Sequence, residues 1–213
     1  MRILRTLTLV SVFIALGAAA CFATPIAIIN NATLGYYNQA IGNTLNGSAG
    51  FPAVGDPLIN PAPAPDLSAA SAILGNWLTN PGSLNANWTG PQAIPLSWPI
   101  GTETAIVYQF NTTGITSVIG NFGVDNGIYI WLDGAYKYGA LAPGGVGTYE
   151  YPNINLGVLG AGTHYLQIMR EDHGGSDGYT LLVTADSRPV PEPASLMLMA
   201  AGLAGLAGWK KRK

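Results

Sequence analysis

From Trp77 onward the chain alternates with a period of two, and turn residues interrupt it at short intervals. Thr104 to Phe110 sets Ile106, Tyr108 and Phe110 on one face. Gly127 to Asp133 sets Ile128, Ile130 and Leu132 on one face and Tyr129, Trp131 and Asp133 on the other. Thr163 to Arg170 and Tyr179 to Ala185 have the same β-rich character. Successive side chains of a strand point to opposite sides, so each run can bury a face in a sheet. Asp125-Asn126-Gly127, Asp133-Gly134, Pro143-Gly144-Gly145, Gly160-Ala161-Gly162 and Gly174-Gly175-Ser176-Asp177-Gly178 punctuate the runs. They offer the turn conformations that reverse a strand. No helical period is long enough to cover a parallel sheet. The expected fold is all-β, a jelly roll or other β-sandwich.

The stretch before Trp77 has another style. Pro25 to Pro65 is rich in Asn, Gly, Ala and Pro, and Pro52, Pro57, Pro61, Pro63 and Pro65 interrupt any regular ladder. It reads as one short strand, Ile26 to Ile29, followed by a long surface excursion, with disorder as the alternative. Asp66 is placed to cap a short helix over Leu67 to Leu74, with Gly75 at its end.

Both termini carry targeting patterns. Arg2 and Arg5 precede an apolar run from Leu7 to Ala20 and then small residues, the order of a secretory signal peptide, with cleavage expected after Ala23 and Ala20 as the alternative. Cys21 is the one cysteine in the chain, so the cleaved product has no disulfide and must rest on its core. At the other end Val190-Pro191-Glu192-Pro193-Ala194-Ser195 is followed by an apolar run, Leu196 to Trp209, and then by Lys210-Lys211-Arg212-Lys213. Fourteen apolar residues make a helix of roughly 21 Å, short for a hydrocarbon core of about 30 Å. Trp209 at an interface would extend the fit, and the cations would stay cytoplasmic.

The order Pro191-Glu192-Pro193, apolar run, basic end resembles the PEP-CTERM sorting signal of Gram-negative bacteria. That resemblance implies export, a precursor held transiently in the inner membrane, processing by an exosortase, and delivery to the cell surface or extracellular matrix. The chain then divides into a signal peptide (1–23), a Pro/Gly/Asn-rich N-terminal part of the domain with a short helix (24–76), a β-sandwich (77–189) and the sorting signal with its single transmembrane helix (190–213). Between the two targeting segments stand three basic and ten acidic residues, a net charge of −7. Such a surface repels phosphate backbones, so nucleic acid is excluded as a partner.

Tyr108-Gln109-Phe110, Gly120 to Asn126, Ile130 to Gly134 and Leu159-Gly160-Ala161-Gly162-Thr163-His164-Tyr165-Leu166 together resemble galactose-binding-like jelly-roll domains over about Trp77 to Ala185. That family includes sugar binders. Sugars need flat rings for their C–H faces and amides or carboxylates for their hydroxyls. Trp77, Trp88, Trp98 and Trp131 are rings of that kind, or else core packing. The loop candidates are Asp125, Asn126, Asp133, Tyr136, Tyr138, Tyr149 and Tyr151, with extracellular polysaccharide as the expected ligand.

Glu171, Asp172 and Asp177 offer hard oxygens in a Gly-rich bend and are the candidates for Ca2+; no other cofactor is expected, and solvated turn residues are the alternative. Gly174-x-Ser176-x-Gly178 matches the hydrolase nucleophile elbow in letters alone. β sequence follows it where a helix is needed, and no histidine lies downstream. The expectation is therefore a non-catalytic surface or matrix protein that binds polysaccharide. The alternatives are a structural matrix component with no specific ligand and an exported hydrolase.

Overall fold

The computed structural model describes residues 25–52, 57–114, 116–141 and 149–187. The segment expected to be a signal peptide and the sorting segment both lie outside these residues. Pro25–Ser187 forms one compact unit.

Among the described residues ten strands make two antiparallel sheets. They are β1 (Ile26–Asn30), β2 (Leu34–Gly42), β3 (Gln92–Ala93), β4 (Glu103–Thr112), β5 (Thr116–Asp125), β6 (Gly127–Leu132), β7 (Ala135–Leu141), β8 (Tyr151–Leu159), β9 (Gly162–Glu171) and β10 (Gly178–Ser187). One sheet has the order β1-β10-β5-β8 and the other β3-β2-β4-β9-β6-β7. The β-sandwich expected from the alternation is the fold observed. Ile106, Tyr108 and Phe110 of β4, Ile128, Ile130 and Leu132 of β6, and Leu166 and Ile168 of β9 face Val118, Phe122, Leu156, Leu181 and Val183 of the other sheet. Pro152 sits in β8, an edge strand, where a missing N–H is tolerated.

The Pro-rich stretch differs from its expectation in two ways. First, Leu34–Gly42 is a nine-residue strand that lies between β3 and β4. After Pro25 no proline occurs before Pro52, so the first half of that stretch was free to pair. Second, the chain beyond β2 is no surface excursion. Leu45, Phe51, Ala62, Ala70, Leu74, Trp77 and Trp88 pack on Ala105, Val107, Tyr129, Trp131 and Met169, the outer face of the six-stranded sheet. This second core explains why β6 is apolar on both faces. Trp77 stands at its centre, 5.8 Å from Trp88 and 5.3 Å from Trp131 between ring centroids.

The helix expected over Leu67 to Leu74 is a 3-10 turn (Ser68–Ala70) running into α1 (Ser71–Leu74). Asp66 Oδ1 accepts from the Ser68 amide at 2.9 Å, and that bond holds its carboxyl below the usual range. Gly75 closes the helix at φ 60°, donating to Ser71 O. A side chain there would meet Asn85, and the left-handed φ favours glycine in any case. Three side-chain amides donate to the Ile73 carbonyl: Asn38 fastens α1 to β2, and Asn85 and Asn87 fasten it to the loop before β3.

Candidate functional site

Strand pairing brings three segments to one end of the sandwich. Asp125 lies opposite Gly178, and Gly127 lies opposite Glu171, so the β5–β6 turn adjoins the β9–β10 loop. The segment leading into β4 joins them: the Trp98 amide donates to Asp177 Oδ2, and the Gly101 amide donates to Asp172 Oδ2 at 2.5 Å. Asp172 Oδ2 also accepts from Gly174 N at 3.0 Å. Asp125 takes Ser176 Oγ on Oδ2 at 2.9 Å and Asn126 Nδ2 on Oδ1 at 2.7 Å. Asn126 Oδ1 accepts from the His173 amide, and the Asn126 amide donates to Glu171 O. The Asp125–Asn126 peptide is cis.

Arg170 anchors this end from below. Its side chain is fully buried between the rings of Trp98, Tyr179 and Tyr37, with the guanidinium carbon 4.1, 4.7 and 5.7 Å from the ring centroids. Nε and Nη2 donate to Thr104 Oγ1, and Nη1 donates to Pro95 O at 2.8 Å. Burial lowers its pKa, while the Tyr179, Tyr37 and Tyr108 phenols and Asp177 oppose that shift. The guanidinium therefore ties β9, β4 and the Pro95–Thr102 segment into one block.

Glu103 and Glu171 are both fully buried on the other face of the sheet. Burial, reinforced by the nearby Glu171 carboxylate, pushes Glu103 up to about 7. His173 Nε2 lies 3.2 Å from Glu171 Oε1.

The residues anticipated for ligand binding fall into two groups. Asp125, Asn126 and Tyr151 lie at this end but are buried, at 3%, 4% and 6% exposure. The Tyr138 ring lies tilted against Tyr151, 5.7 Å between centroids, and its hydroxyl donates to Asn60 Oδ1 at 2.7 Å. Tyr149, half-buried at φ 59°, leads into β8 beside them. Burial raises the Tyr151 phenol, and the charges of Glu150, Tyr138 and Asp125 add to the shift.

Asp133 and Tyr136 belong elsewhere. They follow the far end of β6, whose six residues span roughly 20 Å. There Asp133 Oδ2 meets His164 Nδ1 at 2.7 Å and Oδ1 accepts from Tyr165 N, while Tyr136 packs on Trp131 and donates to Ala62 O. All four tryptophans named as rings for sugar, Trp77, Trp88, Trp98 and Trp131, are buried.

Glu171, Asp172 and Asp177 have three separate sets of partners, on His173, on the Gly101 and Gly174 amides, and on the Trp98 amide. Among the described residues no three carboxylates, imidazoles or thiols are grouped to hold a metal ion. Ser176 donates to Asp125, and β10 follows the Gly174-x-Ser176-x-Gly178 segment at once. Glu103 and Arg170 were not anticipated. Arg170 carried a legible signal, because it continues the inward series Leu166, Ile168. Glu103 carried none, since an acid at a strand start is normally solvated and only the overlying segment buries it.

Among the described residues no helix is long and apolar enough to cross a membrane. No curated protein matches the chain. Two solved structures are similar in part. One is a PA14 sugar-binding domain from an RTX adhesin, at 12% identity and TM-score 0.28, covering 72% of this chain and 89% of that one. The other is the PA14 domain of the MpAFP antifreeze protein, at 13% identity and TM-score 0.23, covering 80% and 88%. The firm likeness lies at the C-terminus: residues 189–213 match the PEP-CTERM protein-sorting motif, so the chain carries that motif behind a two-sheet β domain.

Proposed function

We propose that this is an exported, exosortase-processed protein of the cell surface or extracellular matrix that performs no catalysis and binds polysaccharide at the Asp125–Asn126 end of its sandwich. The sorting motif supports the export route. The observation that carries the binding reading is the gathering of three loops on a buried hydrogen-bonded base of Asp125, Asn126 and Asp172, which fixes Ser176 and Asp177 at the surface, with half-buried Tyr138 and Tyr149 alongside. Carboxylates and amides held rigidly beside phenol rings suit the mixed polar and apolar surface of a sugar. Loops on a fixed scaffold are the usual place for such a surface.

A structural matrix role with no specific ligand is the second reading, and the burial of all four candidate tryptophans favours it. Retention of the secreted protein on the host's own extracellular polysaccharide separates the two. Its intact mass should place the C-terminus near Val190 to Ser195. Tyr149→Ala should lower retention several-fold, whereas Asp133→Ala, at the opposite end, should leave it unchanged. Stacking and a few hydrogen bonds correspond to affinities on the order of micromolar to millimolar. No retention of the wild-type protein on any polysaccharide gives the structural reading the field.

A further inference from the structure

The segment that covers the outer face of the six-stranded sheet folds around a cavity of about 310 Å³, lined by residues between Leu67 and Thr79. Its floor is apolar. Leu74 and Trp77 lie there, both buried, and half-buried Leu67 and Leu78 stand at the sides. Its rim is polar and uncharged, with exposed Ser71, Asn76 and Thr79. No charged side chain lines it, and Asp66, the acid before Leu67, accepts from the Ser68 amide. The cavity lies beside the β6–β7 turn, where Gly134 leaves room for the Leu78 carbonyl; a Cβ on Gly134 would collide with it.

The backbone of the cavity wall is tied down carbonyl by carbonyl. Ser71 O accepts from Gly75 N, and Ile73 O from three asparagine side chains. Leu74 O accepts from the Trp88 indole, Asn76 O from Thr79 N and Asn80 N, and Trp77 O from Gln167 Nε2. The rim hydroxyls of Ser71 and Thr79 and the side-chain amide of Asn76 are exposed and take no part in holding that backbone. A wall fixed in advance, with polar groups left at its rim, loses little order when a ligand enters.

The lining sets the chemistry of that ligand. The volume is at the small end of ligand cavities, enough for one sugar unit. A lining without charge offers a carboxylate or an ammonium no counter-charge, so a charged group pays its desolvation there unrepaid. A plain hexose carries hydroxyls on every side and sets some of them against leucines. An acetamido group suits both layers: its methyl meets the apolar floor of Leu74 and Trp77, and its N–H and C=O meet hydroxyls and an amide at the rim. We propose that this cavity is a binding site for an N-acetylated hexosamine, entered by the acetamido group.

The site is separate from the Asp125–Asn126 end. Leu78 meets the turn that follows Leu132, whereas Asp125 and Asn126 precede Gly127, and the six residues of β6 set the two apart by roughly 20 Å. A sugar site at each end of β6 lets one protein hold two polysaccharide chains, or two points of one chain, at the same time. That consequence rests on the loop-end reading; the cavity site itself does not.

The test is saturation-transfer difference NMR on the purified protein, with N-acetylglucosamine, glucosamine and glucose as separate probes. The acetyl methyl protons of N-acetylglucosamine should take up the most saturation. The other two sugars should bind roughly ten-fold more weakly, for want of a buried methyl and its amide contacts. Ser71→Tyr fills the mouth of the cavity from an exposed position and should abolish the methyl signal. Val158→Tyr, exposed on the other sheet, should leave it as in the wild type. No signal from N-acetylglucosamine, equal binding of either other sugar, or a signal that survives Ser71→Tyr overturns the proposal. If Ser71→Tyr does not fold, the wild-type backbone amide shifts on titration with N-acetylglucosamine decide. Movement centred on residues 67–79 supports the site, and movement centred elsewhere removes it. The loop-end reading is tested by retention of Tyr149→Ala on polysaccharide, so the two can fail separately.

Discussion

Arg170 shows how much one side chain can organise in a domain with few cations. Among the described residues the basic side chains are Lys137 and Arg170, and only the second is inside. A buried guanidinium is costly unless its donors are used and its charge is met. Here three hydrogen bonds and three ring faces meet it, and the planar fork fits between Trp98 and Tyr179 as an ammonium could not. Arg170→Lys should therefore cost roughly 2–4 kcal/mol, from lost charge-assisted bonds and ring contacts, although it preserves the charge. Chemical denaturation of the two proteins measures it, and a loss below about 1 kcal/mol would mean that a lysine satisfies the same box. Burial also lifts the surrounding phenols, Tyr108 to about 12 and Tyr179 upward, so all stay neutral beside the cation at ordinary pH.

At the scale of elements, the segment after β2 decides the character of the six-stranded sheet. A two-layer sandwich leaves one face of each sheet to solvent, yet the outer face of β4, β6 and β9 carries Val107, Trp131 and Met169. The segment covers that face, with α1 and two tryptophans as its main contacts. Trp77→Ala should cost about 3–5 kcal/mol, as truncation of a buried ring does when neighbours cannot collapse around it. Hydrogen exchange should show the loss concentrated in residues 42–90 and on the outer face, with the inter-sheet core protected. Uniform loss across both cores would mean that cover and sandwich unfold as one cooperative unit. Trp88 adds a polar tie by donating its indole N–H to Leu74 O at 3.1 Å.

For the whole molecule, the N-terminal strands make residues 25–187 inseparable. β1 completes the edge of the smaller sheet against β10, and β2 joins β3 to β4 in the larger one. Deleting them exposes Ile29 and Tyr37 partners in the inter-sheet core and uncovers the outer face as well. A fragment starting at Trp77 should thus fail to fold, with poor amide dispersion in NMR spectra, whereas residues 24–189 should give a β-type circular dichroism spectrum unaffected by reductant. A well-dispersed spectrum from the shorter fragment would make the first two strands accessories. No disulfide can substitute for this packing, since the single cysteine is Cys21.

The sequence by itself determined the sorting motif and the fold class. The C-terminal sorting motif is a linear pattern, so it is legible along the chain without reference to any fold. Alternation of side chains is a local consequence of strand geometry, so β4, β6, β9 and β10 were legible residue by residue. The tertiary structure decided everything that depends on what lies over a face. It buried Trp77, Trp88 and Trp131, because the segment after β2 returned across the outer face of the sheet, and it buried Trp98 in the inter-sheet core beside Arg170. It split the anticipated ligand residues between the two ends of β6, because neighbours in sequence along a strand are carried apart at about 3.3 Å per residue. It set Glu103 beside Glu171 and Arg170 among three rings, because register between distant strands is fixed by the whole hydrophobic pattern, and no local stretch of sequence contains it.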